Sequence, residues 1–332
     1  MNAQSKIFAG RDRVRVAIIQ TAPVFMDLQR SVDKACLKIA EAASEGAELI
    51  VFSETWLSGY PYWDEGWNSQ SEPWAQMRET FYDNALHVPG ELFQKVADAA
   101  AQAGAIVVIG CNEIDERPGK HTLYNTLLYI GSDGRLLGKH RKLRPTFVEA
   151  AFWGSGAGDD LYSWPTEIGR IGGLICSEHT MTLVRARMIE QGEDFHIAVY
   201  PGAFDLWNGP KLEVEDKTGE FFPGYASARA HAVESGSFVL LAMGYLDEVD
   251  IPADFPMRDS LNIEYARGGS MVISPAGVPI AGPVHGDAIL YADCEARVVK
   301  LCKAVIDVNG SYARPDLLSL HYHPASLPDQ PD

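Results

Sequence analysis

Several common site signatures are missing from this chain, and each absence removes a class of chemistry. No G-x-x-x-x-G-K-[ST] loop occurs, so a phosphate-cradling P-loop is not supported. Gly154-Ser-Gly-Ala-Gly158 is rich in glycine but fails G-x-G-x-x-G. G-x-S-x-G is also absent, which argues against a serine nucleophile on a strained elbow. Neither C-x-x-C nor H-E-x-x-H is present, and His321-Tyr-His323 falls in a proline-containing tail; no metal and no organic cofactor are expected. No uninterrupted apolar segment approaches the ~20 residues that cross a bilayer, and residues 1–11 lack the apolar stretch of a secretory signal. Positive charge is scarce as well: 28 Lys and Arg stand against 45 Asp and Glu, a net charge of −17, so neither nucleic acid nor an anionic membrane is an expected partner. Cysteine is limited to positions 36, 111, 176, 294 and 302. An odd, scattered set offers no pairing framework and suits a reducing, cytoplasmic setting.

Apolar residues make up 46% of the 332, enough for a substantial core without covalent staples. Short β-branched runs alternate with stretches of helical period. Residues 14–20, 49–54, 105–111, 171–176, 195–200, 238–243, 270–274 and 289–293 read as strands. Leu28, Val32, Cys36, Ile39 and Ala43 recur at spacings of three and four, as on a helix, and residues 92–103, 183–190, 225–235 and 296–307 read the same way. Gly131-Ser-Asp-Gly134 and Ser274-Pro-Ala-Gly277 read as hairpin turns. Such alternation predicts an α/β layered fold. With no long linker, residues 1–320 read as a single domain with two sheets, and residues 321–332 as a flexible tail.

Three chemistry-bearing residues close or follow apolar runs. Cys176 ends Arg170-Ile-Gly-Gly-Leu-Ile-Cys176 and is followed by Ser177-Glu178-His179-Thr180. A cysteine there is ordinarily inert core, but a helix N-terminus beyond it would favour the thiolate. Glu54 closes Leu49-Ile-Val-Phe-Ser-Glu54; the ordinary reading is a capping residue, the functional one a carboxylate at a strand end with a raised pKa. Lys142 lies in Gly138-Lys-His-Arg-Lys-Leu-Arg144. That run is either a solvated basic loop or the source of one inward-turned ammonium. A carboxylate, an amine and a thiol together suit attack on a carbon–nitrogen bond.

The local strings around these residues resemble the nitrilase superfamily, and within it the nitrilase branch. They are Ala17-Ile-Ile-Gln-Thr-Ala-Pro-Val-Phe25, Glu54-Thr-Trp-Leu-Ser-Gly-Tyr-Pro61, Arg141-Lys-Leu-Arg-Pro-Thr146, Phe147-Val-Glu149 with Trp153-Gly154, Tyr200-Pro-Gly-Ala203 and Tyr312-Ala-Arg-Pro-Asp316. The resemblance implies a four-layer αββα sandwich, paired into a homodimer and larger spiral oligomers. It implies Glu54 as general base, Cys176 as nucleophile, Lys142 as stabiliser of the tetrahedral intermediate and Glu149 as the second glutamate holding that lysine. The Ser177 backbone N–H would join Lys142, and Tyr60, Trp153, Phe204 and Trp207 fall in segments like those lining the pocket. The implied reaction takes a small-molecule nitrile to its carboxylic acid and ammonia through a thioimidate and a thioester.

The chain departs from that pattern in places. Ser177 stands where the family commonly has tryptophan, Met181-Thr182 replaces a frequent proline, and Ser311 a frequent histidine. Loss of an indole beside the nucleophile implies a wider or more polar pocket, with altered substrate choice or more amide released. An amidase using the same trio is the competing enzyme reading; an inactive protein that keeps the fold for binding is the non-enzymatic one.

Overall fold

The computed structural model describes residues 6–63, 71–203 and 222–323. Period-two alternation sorts the strands of the N-terminal half between two cores. On β1 (Arg13–Gln20), β2 (Leu49–Phe52), β3 (Ile106–Ile114) and β4 (Leu123–Ile130), the side chains of Val16, Val51, Val108 and Leu127 enter one buried cluster. Their neighbours Ala17, Ile50, Val107 and Leu128 enter another. The second cluster is completed by α1 (Leu28–Ser44) and α3 (Glu91–Ala103), which present Val32, Ala35, Ile39, Val96 and Ala100.

The first sheet has the order β12-β1-β2-β3-β4-β5, where β5 is Leu136–Arg141 and β12 is Ala288–Glu295. The second is β11-β10-β9-β8-β7-β6. Its members are β6 (Trp164–Thr166), β7 (Gly169–Ile175), β8 (Phe195–Tyr200), β9 (Phe238–Met243), β10 (Gly268–Ile273) and β11 (Pro279–His285). Both sheets follow one plan: an antiparallel edge strand, three parallel strands, then two antiparallel ones. They face each other across Val14, Val16 and Ile18 on one side and Ile171, Phe195, Ile197 and Leu240 on the other. On the far face of the second sheet lie α4 (Thr182–Glu190), whose Met188 meets Leu174, and α5 (Pro223–Ser235), which packs on β9 and β10. This is the expected order of helix, sheet, sheet and helix. No helix among the described residues is long and apolar enough to cross a membrane.

Both expected hairpins are present, closed by Gly134 N–H to the Gly131 carbonyl (2.9 Å) and Gly277 N–H to the Ser274 carbonyl (2.8 Å). The sequence reading missed α2 (Glu72–Asp83), which buries Met77 and Phe81 in an aromatic cluster. It also missed β11, an edge strand whose Pro279, Gly282 and Pro283 are poor strand formers. The last helix, α6 (Ala296–Val305), stops two residues short of expectation. No α-helix starts at Cys176: a five-residue 3-10 turn, Cys176–Thr180, intervenes before α4. The expected help from a helix N-terminus is therefore not what the fold provides. Of the tail expected at 321–332, residues 324–332 lie outside the described residues, whereas the Tyr322 ring lies 4.3 Å from the Arg187 guanidinium.

One glycine sets how closely β3 approaches the loop carrying Glu54. A Cβ on Gly110 would come within 2.4 Å of the Ser53 carbonyl oxygen and 2.5 Å of the Thr55 nitrogen. Both are backbone atoms, so the loop itself would have to move. Gly110→Ala is expected to lower stability by ~1–3 kcal/mol, read as a shifted denaturant midpoint, with a loss of activity larger than the unfolded fraction explains.

Candidate active site

Three strand ends converge on one buried charge cluster. Glu54 lies just past β2, Lys142 directly after β5 and Cys176 directly after β7. Lys142 reaches Glu54 Oε1 at 2.9 Å and Glu149 Oε1 and Oε2 at 3.0 and 2.8 Å. All three side chains are 3% exposed or less. Asn125, on β4, donates from Nδ2 to Glu54 Oε1 at 2.6 Å, and its carbonyl accepts the Lys142 backbone N–H at 2.8 Å. The second carboxylate is held as firmly: Tyr60 Oη–H donates to Glu149 Oε1 (2.8 Å) and Thr146 N–H to Oε2 (2.6 Å). Glu54 Oε2 is buried and has no hydrogen-bond partner among the described residues. It is the one carboxylate oxygen of the cluster left open to accept a proton.

The local backbone is bent to make this possible. Thr55, Phe147 and Cys176 have φ of 45°, 48° and 52°, the left-handed region that non-glycine residues seldom occupy. Two of these bends are held by the same device. Glu149 caps the Thr146 N–H before the turn Phe147–Ala151, and Glu178 Oε2 accepts the Ile175 N–H (2.7 Å) before the turn Cys176–Thr180. Glu178 Oε1 also accepts the Leu143 N–H at 2.7 Å, and the carboxylate receives His140 Nε2 at 2.9 Å. One carboxylate thus ties the peptide before Cys176 to the peptide after Lys142.

Electrostatics at the site follow from burial first. Desolvation raises Glu54 to about 7, with Lys142 opposing the rise and Glu149 adding to it. Burial likewise pushes the Cys176 thiol well up, against the pull of Lys142 and of the Ser177 backbone N–H. Lys142 stays firmly charged because Glu149, Glu54 and the sulfur outweigh its desolvation. The resting pair is a neutral thiol and a carboxylate poised near neutral pH.

Of the pocket residues expected from sequence, Tyr60 lines a narrow cleft beside Glu54 together with Tyr62, Gly244 and Leu246. Trp153 packs behind Tyr60 with ring centroids 5.6 Å apart, its indole N–H donated to Asn112 Oδ1 (2.9 Å). The Ser177 Oγ is 2.6 Å from Thr146 Oγ1 and so reinforces the loop of Glu149. Phe204 and Trp207 lie outside the described residues. A larger cleft, about 650 Å³, is lined by Glu113, Asp115, Lys139 and Arg141 and contains none of the expected site residues; Glu113 there is ion-paired to both basic residues. Sequence reasoning did not single out Asn125, Thr146 or the anchoring part of Glu178. Asn125 left one trace, a carboxamide inside the apolar run Leu123-Tyr-Asn-Thr-Leu-Leu-Tyr-Ile130.

A buried cysteine, two glutamates and a lysine thus lie together at the edge of an αββα sandwich, a set of groups whose chemistry suits attack on a carbon–nitrogen bond. The chain belongs to the carbon–nitrogen hydrolase family, whose model matches residues 15–304, and its curated relatives place it in the nitrilase branch. A nitrilase of Talaromyces marneffei is 33% identical over 315 residues, 94% of this chain and 95% of the relative. An arylacetonitrilase of Aspergillus niger is 34% identical over 313 residues, covering 93% and 88%. Among solved structures, Saccharomyces cerevisiae Nit3 superposes with a TM-score of 0.70 at 22% identity, over 93% of this chain and 98% of that one; this likeness speaks for the fold.

Glu178→Ala would leave the Ile175 and Leu143 N–H groups and His140 Nε2 without their acceptor, with Asp160 the remaining partner of the His140 ring. Breaking a buried ion pair from one side costs ~3–5 kcal/mol. A urea melt of the variant is expected to show that loss; a midpoint equal to wild type would mean the tether is dispensable.

Proposed function

We propose that the protein hydrolyses an organic nitrile to the carboxylic acid and ammonia, with Cys176 as nucleophile, Glu54 as general base, and Lys142 and Glu149 completing the site. The observation that carries this reading is the buried Glu54–Lys142–Glu149 cluster beside Cys176. The thiol passes its proton to the open Glu54 Oε2 as Sγ bonds to the nitrile carbon. Glu54 returns that proton to the nitrile nitrogen, so the C≡N bond becomes C=N–H of a thioimidate, with Lys142 and the Ser177 N–H stabilising the charge that builds on nitrogen before the proton arrives. Glu54, ionised again, takes a proton from water as it adds to the thioimidate carbon and hands that proton on to the nitrogen. Breaking the C–N bond releases ammonia and leaves a thioester, which a second water opens to the acid. Breaking the C–S bond instead releases the amide. Ser177 in place of an indole is read as enlarging the pocket and favouring some of that second outcome.

Tyr60, Trp153, Ser177, Phe204 and Trp207 belong to the same proposal as residues that shape the substrate site. So do a single hydrolase domain over residues 1–320, a cytoplasmic setting consistent with five unpaired cysteines, and self-association into a homodimer and larger spirals. Exposed Leu301, Val305, Leu317 and Leu318 offer apolar surface for that association.

Two measurements test the reading. Matched nitrile and amide pairs are expected to show faster turnover of the nitrile; faster turnover of the amide makes the protein an amidase. In the same assay, mass spectrometry should find a covalent adduct at Cys176, Cys176→Ala should abolish both adduct and turnover, and Ser177→Trp should lower the share of amide. An active Cys176→Ala variant would falsify the mechanism. The second measurement is the pH profile. A base works only when ionised, so protonation of Glu54 as the pH falls through about 7 removes it. On the acid side kcat/KM should drop about tenfold per pH unit, and Glu54→Gln should lose the activity itself.

A further inference from the structure

Behind Cys176, on the outer face of the second sheet, runs a chain of four buried titratable side chains that the reaction above does not use. His179 Nδ1 lies 2.9 Å from the Cys176 carbonyl oxygen. His179 Nε2 lies 3.0 Å from His196 Nε2. His196 Nδ1 faces both oxygens of Glu193 at 3.0 and 2.9 Å, and His231 Nε2 meets Glu193 Oε2 at 3.0 Å. The four residues are between 0 and 3% exposed. The space is built for them: a Cβ on Gly172 would fall 2.0 Å from Glu193 Oε1.

Donor and acceptor bookkeeping fixes the hydrogens. A carbonyl only accepts, so His179 Nδ1 carries a hydrogen. With His179 neutral, its Nε2 is bare, and His196 must donate to it from Nε2. That leaves His196 Nδ1 bare and facing a carboxyl group, which must then be protonated to make the bond. Among the described residues His231 Nδ1 is buried without a partner, which suits the bare nitrogen of a neutral imidazole that donates from Nε2 to Glu193. In this resting arrangement every link is made and no member carries charge. Burial supports the same assignment, raising Glu193 and holding His179, His196 and His231 down at about 3.

We propose that this chain is a proton-shifting support for the nucleophile: His179, His196 and Glu193 are positioning residues that answer negative charge at Cys176 by moving one positive charge toward it. The shift needs no outside reactant. The Glu193 O–H bond breaks as its proton bonds to His196 Nδ1, while the His196 Nε2 proton passes to His179 Nε2. The products are a Glu193 carboxylate, a neutral His196 of the other tautomer and a His179 imidazolium donating to the Cys176 carbonyl. Net charge is unchanged. Arg185 of α4 opposes charge on His179 and His196, Glu178 favours it, Arg170 of β7 favours the Glu193 carboxylate, the Tyr129 hydroxyl of β4 feels the Glu193 charge, and the Tyr200 ring of β8 stacks on His179.

The test separates proton movement from mere support. Glu193→Gln keeps a donor for His196 Nδ1 and an acceptor for His231 Nε2, so it reproduces the resting bonds but has no proton to give. The expected result is an unchanged Tm and KM, with kcat down about tenfold. The pH profile of Cys176 alkylation by iodoacetamide should also move upward by about one unit. His179→Asn keeps the donor to the Cys176 carbonyl and cuts the chain beyond it; it should give the same two shifts, and carries the test if Glu193→Gln does not fold. Wild-type kcat and alkylation profiles in these variants would overturn the proposal. So would one equivalent of zinc in the purified protein, lost in Glu193→Gln, since Glu193, His196 and His231 bring their donor atoms within 4.8 Å and a metal would sit where the shared proton is required. The proposal rests on Cys176 being the nucleophile. Alkylation reads that thiol directly, so a failure to turn over nitriles leaves this test standing.

Discussion

One buried ammonium holds two carboxylates together, and the geometry at the catalytic edge follows from satisfying them. Lys142 has no exposed side-chain surface, nor does Glu54. Each buried charge costs several kcal/mol of lost hydration, recovered only when geometry and further hydrogen bonds are good. Here the recovery comes from separate elements: Asn125 from β4, Tyr60 from the loop after β2, and the Thr146 peptide from the loop after β5. Displacing any of these strand ends strands a charge, so the requirement to solvate Lys142 and its partners internally fixes the relative positions of the site's components.

The same burial that makes the cluster rigid makes it quiet. A raised thiol and a raised carboxylate mean that the proton stays on sulfur until an electrophile arrives. This differs from a cysteine held permanently as thiolate by an adjacent imidazolium. A buried thiol that is neutral at rest is less open to alkylation and oxidation, which follow thiolate character and exposure.

What the sequence made legible was local. Alternation at Val14, Val16 and Ile18 reports a strand with one face inward, and Glu54 and Cys176 stand out as polar residues closing apolar runs. Lys142 was singled out with them but stood on weaker ground, because a basic run looks solvated until the fold buries one member of it. Asn125, Glu178 and the chain from His179 to His231 were invisible as a set. Their roles depend on backbone groups and on neighbours far away in sequence, such as the link between Glu178 and Leu143. β11 escaped because an edge strand tolerates proline and glycine that a central strand does not.

The pairing of β12 with β1 joins strands from opposite ends of the chain and closes the first sheet beside α6. During synthesis every catalytic residue leaves the ribosome well before β12 exists. Until that strand arrives, β1 presents an open edge, and the sheet that shields Cys176 is incomplete. Acquisition of the mature site is thus bound to a contact of the longest kind the chain makes, which is slow to form. Cys176 is therefore made before the walls that bury it are complete, and it is at that stage that its thiol is most open to oxidation.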